Sequence, residues 1–445
     1  MRMVSFMAVA CMSVPAYSMD LSLADAVSKI VAESHDIKKA AANVDKAQAT
    51  LDSVNANRWF KVDGSATYMN MVNVERPFKS QSIELPPELG GIFAESLKDQ
   101  IDGLQDKISS FSIPDNVFMA GVTVTQPIYT FGKIGNAVKA VKSAIQMADA
   151  SYELTQREVK YAAVDLYWTA KMMDEIVKIS ETDLKNARAA RKRLTAAGRA
   201  NRSNLVKIES DIASKEINLS DAQFNRDSAH RMLKIMAGID IDQDLNLTDN
   251  FPKKFGELNA PSKLEKTPEW DILSGQVEMY KRQSRSQRAN GYPTLAATGS
   301  YNFYALGSEI ESMFDKSGSQ SATVGLALQV PIFSGGLNRA NATVDAMNAV
   351  AAQQDLDKSK KLTSEKYENA LKQYNHLRGN LAKLQEARDL AAKAYQFSQD
   401  RFGAGQTSAI ELADVASGLY QLDMALLNMK YKILMSEQSV KKLGE

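Results

Sequence analysis

The chain contains the sequence Gln126-Pro127-Ile128-Tyr129-Thr130-Phe131-Gly132 and, 204 positions later, the similar sequence Val330-Pro331-Ile332-Phe333-Ser334-Gly335-Gly336. Each copy closes a segment of alternating apolar and polar residues and opens a very long segment with helical periodicity. A motif that recurs at matching places predicts an internally duplicated chain. The residues that mark the predicted change from strand to helix are Pro127, Gly132, Pro331, Gly335 and Gly336.

The two halves share a predicted order of helix, strand, loop, strand, long helix, glycine turn and helix. In each half a glycine is followed at the same spacing by a polar residue, Asn204 after Gly198 and Glu411 after Gly405. Asn, Asp, Pro and Gly occur throughout residues 238–261, which favours a spacer there. The predicted division is a signal peptide at 1–18, a first repeat at 19–237, the spacer or equatorial segment at 238–261, and a second repeat at 262–445.

The first residues have the pattern of a secretory signal peptide. Arg2 precedes the apolar stretch 4–12, and small residues precede a cleavage site after Ser18. A short buried N-terminal helix is the alternative. The only cysteine, Cys11, leaves with the signal, so the mature chain has no thiol or disulfide. A lipoprotein acylated at Cys11 is a further alternative, although the three residues before it make a poor lipobox.

The composition narrows the class of protein. Lys and Arg number 54 against 53 Asp and Glu, and the two signs are interleaved, so nucleic-acid binding is not expected. A hydrophobic content of 44% is that of an ordinary folded protein. No mature segment approaches the roughly 20 apolar residues of a transmembrane helix. If this protein crosses a bilayer, strands must cross it.

Two segments have the periodicity of very long helices. Apolar or small residues follow three-four spacing over several heptads after Gly132 and again in the last helix, which indicates left-handed coiled coils. Residues 133–195 and 338–401 each predict a rod of roughly 95 Å. Shorter helices, about half as long, are predicted at 21–57, 203–236, 262–288 and 407–442.

Four segments of about 11 to 13 residues alternate apolar and polar side chains, long enough to cross a bilayer at a tilt. They form two predicted hairpins, and the apolar faces include Val62, Val122, Leu295 and Leu326. Two amphipathic hairpins on a soluble core are the alternative. Four strands cannot close a barrel, and lipid does not tolerate open edges, so the missing strands must come from other copies. Three copies give twelve strands, and we expect the hairpin loops at 70–117 and 306–320 to face outward.

Both copies of the motif, with the tip sequence Arg401-Phe402-Gly403-Ala404-Gly405 and then Glu411-Leu412-Ala413-Asp414, resemble the TolC-type outer-membrane efflux family over nearly all of the mature chain. The resemblance implies a mixed α and β fold: a homotrimer with a 12-stranded outer-membrane β-barrel, four strands per chain, continued by an α-helical coiled-coil tunnel across the periplasm. It also implies the exit duct of a tripartite efflux pump or a type I secretion system. The expected partners are a periplasmic adaptor (membrane fusion protein), an inner-membrane transporter of the RND, ABC or MFS type, and outer-membrane lipid.

The resemblance also assigns roles at the hairpin tips. It implies that Gly198, Gly403 and Gly405 lie where the adaptor docks, and that Glu411 and Asp414 narrow the periplasmic entrance and select cations. Solvated helix charges are the alternative for that acidic pair. A carboxylate and a basic residue that close the tip in some relatives are Asn204 and Thr407 here, so the closing network of those relatives is not expected.

The sequence contains no motif for catalysis. His35, His230 and His376 lie on separate predicted helices and the mature chain has no cysteine, so we expect no enzyme, metal site or cofactor. A soluble periplasmic coiled-coil adaptor or scaffold is the alternative to a passive channel. Adaptors do not need long lipid-facing strands, so the duplicated alternation favours the channel.

Overall fold

The computed structural model describes residues 19–70, 99–101, 103–104, 116–196, 202–258, 261, 263–307 and 318–444. The predicted signal peptide, Cys11, Gly198 and most of the two predicted outer loops lie outside these residues. The elements in chain order are β1 (Met19–Leu21), α1 (Leu23–Glu33), α2 (His35–Ala56), β2 (Lys61–Asn70), β3 (Asn116–Tyr129), α3 (Lys133–Ala196), α4 (Arg202–Met236), β4 (Leu245–Leu247), α5 (Pro268–Ala289), β5 (Thr294–Gly307), β6 (Ser319–Gln329), α6 (Leu337–Gly403) and α7 (Ala409–Gly444).

The two predicted long helices are confirmed. Helix α3 has 64 residues and helix α6 has 67, which at 1.5 Å per residue is about 100 Å each. Helices α4 and α7 match the predicted shorter helices to within two residues at each end. The heptad periodicity was sufficient here because each seam extends over many turns.

Two predicted helices are wrong at their boundaries. The segment predicted as one helix at 21–57 begins two residues later and breaks at Ser34, whose hydroxyl accepts from the Ile37 amide at 3.3 Å and so caps α2. The helix predicted from residue 262 begins only at Pro268. Proline suits the first turn of a helix, and the Thr267 hydroxyl before it accepts from the Trp270 amide at 3.4 Å.

The chain forms two compact units. The first contains the described residues up to Ala49 together with Lys142–Met279 and Met347–Glu445, and the second contains Thr50–Val141 and Tyr280–Ala346. This partition follows spatial contacts, and the division into two repeats with a spacer stays a prediction.

The second unit is built around a four-stranded antiparallel sheet in the order β2-β3-β5-β6. The two predicted hairpins are its halves, joined where β3 pairs with β5. The register aligns polar side chains in a row across all four strands: Asp63, Thr123, Ser300 and Thr323. The Ser300 and Thr323 hydroxyls are 2.7 Å apart, which is hydrogen-bonding distance.

The other face of this sheet is apolar and exposed. The neighbouring row consists of Val62, Val124, Gly299 and Val324, and the Val324 side chain is 93% exposed. Leu326 and Leu328 continue the same face along β6 and are also exposed. The predicted alternation is therefore confirmed in register. An apolar face that is exposed along several residues of a strand indicates a surface that contacts something other than water.

Both strand-to-helix motifs adopt the same backbone conformation. Phe131 and Gly132 have φ of 47° and 87°, and Gly335 and Gly336, 204 positions on, have φ of 59° and 79°. In both copies the long helix begins at the residue after the second of these two. The first hydrogen bond of each helix is also the same: the Asn136 amide donates to the Gly132 carbonyl, and the Ala340 amide donates to the Gly336 carbonyl. The glycines are needed because side chains disfavour positive φ. Phe131 takes this conformation despite its side chain.

The core of the first unit includes an anchored spacer. Strand β4 lies inside the predicted spacer and pairs in parallel with β1. The buried Tyr167 hydroxyl lies 3.1 Å from the Leu21 carbonyl and 2.9 Å from the Asp249 carboxylate, and burial raises the pKa of Tyr167 to about 12. Residues 19–21 and 245–249 are thus held on α3.

Candidate functional site

The turn between α6 and α7 has a defined geometry. The Gln406 amide donates to the Arg401 carbonyl at 2.8 Å, and the Gly405 amide donates to the Phe402 carbonyl at 3.0 Å. Gly405 has φ of 73°. This is the Schellman arrangement, in which a left-handed glycine satisfies the last helix carbonyls. Gly405 is therefore required by the turn itself.

Gly403 differs from Gly405. It is the last residue of α6, and a Cβ added there would meet nothing within 4 Å. The structure thus gives Gly403 no conformational reason to be glycine. The third predicted docking glycine, Gly198, lies outside the described residues.

The predicted gate residue Glu411 lies in the first turn of α7, where its amide and its carboxylate are both hydrogen-bonded. Ser408 precedes α7, and its hydroxyl accepts from the Glu411 amide at 3.1 Å. The Thr407 hydroxyl donates a short hydrogen bond to the Glu411 carboxylate. A Ser followed three residues later by Glu is a capping-box sequence, and a carboxylate also favours the positive end of a helix. Thr407, noted above as a departure from relatives, thus orients this carboxylate.

Asp414 lies about one turn further along α7 and is exposed. Within the described part of the chain it makes no hydrogen bond or ion pair. Its carboxylate is therefore free to meet ions or another copy of the chain, whereas that of Glu411 is partly engaged.

The ends of four helices pack together at this tip. Their buried side chains form one apolar cluster: Leu194, Ile208, Tyr395, Phe402, Ala409 and Leu412. Beside it is a cavity of about 480 Å³ whose wall includes Asn204, Gly403, Gly405 and Thr407. The structure thus brings the described glycines and both departures from the family pattern around one hollow.

A buried ion pair lies deeper in the same four helices and was not predicted from the sequence. The Lys215 ammonium on α4 is 2.6 Å from the Asp183 carboxylate on α3 and 3.7 Å from Asp211, and both side chains of the closer pair are about 10% exposed or less. Burial raises the pKa of Asp183, and Lys215 opposes that rise. The sequence signal is that Lys215 occupies the heptad position of Ile208 and Ala222, both of which are buried.

A second ion pair joins the other two helices. The Arg388 guanidinium on α6 donates to the Asp423 carboxylate on α7 at 2.6 Å, and this bond raises the pKa of Arg388. The Lys215 ammonium also lies 6.0 Å from the ring of Tyr420 on α7, so this lysine of α4 contacts two other helices. A cavity of about 280 Å³ is lined by Asp183 of the first pair and by Arg388 and Asp423 of the second.

The described residues contain no group of three or more His, Cys, Asp and Glu side chains placed to hold a metal ion. The His230 imidazole is paired instead with the Asp174 carboxylate at 2.8 Å, between α4 and α3. None of the helices in these ranges is long and apolar enough to span a membrane.

The chain belongs to the outer membrane efflux protein family, whose pattern it matches over residues 26–238 and 274–444. No curated relative matches it. Proteins of this family are passive channels, so the chain is not an enzyme, and its location is the outer membrane with a periplasmic extension.

Solved channel structures share this fold. The Campylobacter jejuni CmeC outer membrane channel superposes with a TM-score of 0.76 at 18% identity, covering 95% of this chain and 85% of that one. The outer membrane protein VceC from Vibrio cholerae gives 0.73 at 15% identity, covering 95% and 96%. The open-state MtrE outer membrane channel of Neisseria gonorrhoeae gives 0.75 at 16% identity, covering 95% and 88%. The resemblance predicted from the two motifs is confirmed.

Proposed function

We propose that this protein is the exit duct of a tripartite efflux pump or a type I secretion system, and that it works as a homotrimer. The observation that best supports this proposal is the sheet, whose four antiparallel strands have one exposed apolar face and one polar face. The chain also belongs to the outer membrane efflux protein family. Three such sheets closed into one 12-stranded barrel would leave no open edge in lipid. The soluble adaptor alternative lacks support from the family match.

The helical tip is the proposed meeting point with a periplasmic adaptor. It offers an apolar cluster that four helices hold in place and a hollow beside the Gly405 turn. The adaptor in turn would connect the duct to an inner-membrane transporter of the RND, ABC or MFS type. The docking role covers Gly403, Gly405 and, outside the described residues, Gly198.

Adding bulk at the tip should abolish export without preventing assembly. Gly405→Trp introduces both a strained residue at positive φ and a large side chain, so we expect cells to lose resistance to exported toxic compounds while the outer membrane keeps the normal amount of trimer. Gly403→Trp adds the bulk without the strain, and should have the same effect if docking is the reason.

The matched control is Gly405→Asn, because asparagine tolerates the left-handed conformation and adds little volume. It should export normally. Normal export by Gly403→Trp, together with unchanged crosslinking to the adaptor, would contradict the proposal that the adaptor docks at the tip.

The acidic pair is the proposed entrance gate. In a trimer with threefold symmetry, Glu411 and Asp414 contribute six carboxylates, and cations drawn from the periplasm would relieve their mutual repulsion. Single channels should therefore be cation-selective and should be blocked by divalent or trivalent cations added on the tip side. Glu411→Ala with Asp414→Ala should weaken both properties in planar bilayers.

The two single variants should differ. Asp414→Ala should change selectivity without affecting the helix. Glu411→Ala also removes a carboxylate from the first turn of α7 that Thr407 contacts, and should additionally cost about 0.5 kcal/mol of local stability. Unchanged selectivity and block in the double variant would show that these carboxylates are ordinary surface charges.

A further inference from the structure

Four helices join the four-stranded sheet at the same end. Strand β2 follows α2, β3 leads into α3, β5 follows α5 and β6 leads into α6, and the antiparallel register puts these four connections on one side. We define the junction as the parts of the second unit that adjoin these connections, residues 50–60, 130–141, 280–293 and 330–346. The junction and the sheet thus belong to the same compact unit.

The junction is strongly basic. The whole chain has 54 Lys and Arg against 53 Asp and Glu, but the junction has eight Lys and Arg and only two carboxylates, Asp52 and Asp345. The rest of the chain therefore has more Asp and Glu than Lys and Arg. Positive charge that is concentrated in one place indicates an anionic partner there.

Most of these cations have no partner inside the chain. Six that are exposed make no ion pair or side-chain hydrogen bond within the described ranges, and we call them the junction cations: Arg58, Lys133, Lys281, Arg285, Arg288 and Arg339. The three on α5 are spaced by four and three residues, so they lie on one face of that helix. Their charges are available to a partner outside the chain.

Exposed aromatic side chains mark the same end of the sheet. Trp59 adjoins Arg58 and is 69% exposed. The Tyr129 and Phe131 rings are 4.6 Å apart, and the Phe131 ring is 6.4 Å from that of Tyr292. Aromatic rings are enriched where a membrane protein passes from hydrocarbon to headgroups. In the proposed duct the apolar face of the sheet contacts lipid, so these rings lie at its boundary and the junction cations lie just beyond it.

The junction cations are within reach of the headgroup layer. Lys133 is the first residue of α3 and Arg288 is the last but one of α5, whereas Lys281 lies about 12 Å from the end of α5. The headgroup region on each side of a bilayer is roughly 5 to 8 Å thick, and long basic side chains extend toward it. Guanidinium groups bind phosphate oxygens through paired hydrogen bonds.

We propose that the junction cations bind the headgroups of anionic phospholipids in the membrane leaflet that faces the periplasm. The inference rests on the proposed outer-membrane duct and names the class of lipid that its barrel end prefers. A zwitterionic headgroup has the same phosphate with a compensating ammonium, so it gains less from a cluster of cations. The competing arrangement is that these cations face the lumen, where they would favour the passage of anions.

Trp59 reports on this contact. The chain has three tryptophans, and the other two, Trp168 and Trp270, are buried at 6% and 8% exposure. In vesicles that contain phosphatidylglycerol and phosphatidylcholine, one of them brominated, quenching of Trp59 fluorescence measures which lipid lies beside it. We expect the purified protein to prefer phosphatidylglycerol by at least about threefold, and roughly 1 M NaCl should abolish the preference.

Removing the three cations of α5 should abolish most of the preference. Lys281→Gln, Arg285→Gln and Arg288→Gln together keep this face polar and break no ion pair within the described residues. The charge-conserving variant, with Lys281→Arg, Arg285→Lys and Arg288→Lys, should keep the wild-type preference.

The matched control removes three exposed cations from the part of α6 further from the sheet. Lys358→Gln, Lys361→Gln and Lys366→Gln lie at least about 30 Å along the axis from Leu337, the first residue of α6. Because the headgroup layer is much thinner than this distance, the control should keep the wild-type preference.

Native mass spectrometry and single-channel recording of the same proteins separate the lipid contact from the duct. An unchanged lipid preference in the glutamine variant of α5, or a wild-type preference that persists in high salt, overturns the lipid contact and leaves the duct intact. Equal losses in the α5 and α6 variants do the same. A shift of channel selectivity toward cations in the α5 variant, with no change in lipid preference, places these cations in the lumen. Wild-type protein that does not insert into vesicles overturns both proposals.

Discussion

Replacing Lys215 with methionine should destabilise the helical tip by about 3 to 5 kcal/mol, because it leaves the Asp183 carboxylate buried without its partner. The measurement is thermal or denaturant unfolding of the purified protein followed by circular dichroism. The matched control is the ion pair between Arg188 and Glu216, which joins the same two helices at 2.7 Å but is exposed on both sides. Arg188→Ala should change the unfolding free energy by no more than about 1 kcal/mol.

The loss in Lys215→Met should depend on pH. Burial already raises the pKa of Asp183 in the folded chain, and removing Lys215 removes the group that opposes the rise. A carboxyl with a raised folded pKa stabilises the fold at low pH and loses that contribution as the pH rises through it. The variant should therefore lose least in acid and most at neutral pH. A loss of stability that does not change with pH, or no loss at all, would contradict the assignment of Asp183 as the buried charge without a partner.

Leu326→Arg should keep the protein out of the outer membrane, since an arginine facing lipid costs roughly 2 to 4 kcal/mol at the bilayer midplane. Leu326 lies on the exposed apolar face of β6. The expected result is loss of the trimer from the outer-membrane fraction, measured by fractionation and immunoblotting.

The adjacent residue supplies the control. Gly325 lies in the polar row of Thr125 and Thr298, so a side chain added there would lie on the polar face. An added Cβ meets nothing within 4 Å. Gly325→Arg should therefore insert normally, as should Thr123→Arg in the next polar row. Equal behaviour of Leu326→Arg and Gly325→Arg would reject the lipid-facing assignment.

The sequence was most informative where a pattern repeats many times. The apolar seams of α3 and α7 extend over several heptads, and strand alternation such as that at Val122 and Leu326 occurs in four segments. The structure has both the helices and the strands that these patterns predict. The two motifs at 126–132 and 330–336 were informative because positive φ restricts the residue type at Gly132 and Gly336.

Features that depend on one residue or on distant contacts were missed. The break at Ser34 rests on a single hydroxyl cap, and β1 pairs with β4 across more than 220 positions through only three residues each. Lys215 occupies a position whose heptad neighbours are apolar, and periodicity alone does not reveal that it pairs with Asp183 on another helix. Glu411 was predicted as a gate residue, but the cap that Ser408 provides to its amide and the bond from Thr407 to its carboxylate depend on single side chains.

The most direct test of the proposed duct is the current through a planar lipid bilayer after the purified protein is added to one side. The account predicts stepwise insertion of long-lived channels that pass cations in preference to anions, from a preparation whose native mass is that of three chains. Bilayers that stay sealed in the presence of folded, membrane-inserted trimers would contradict it.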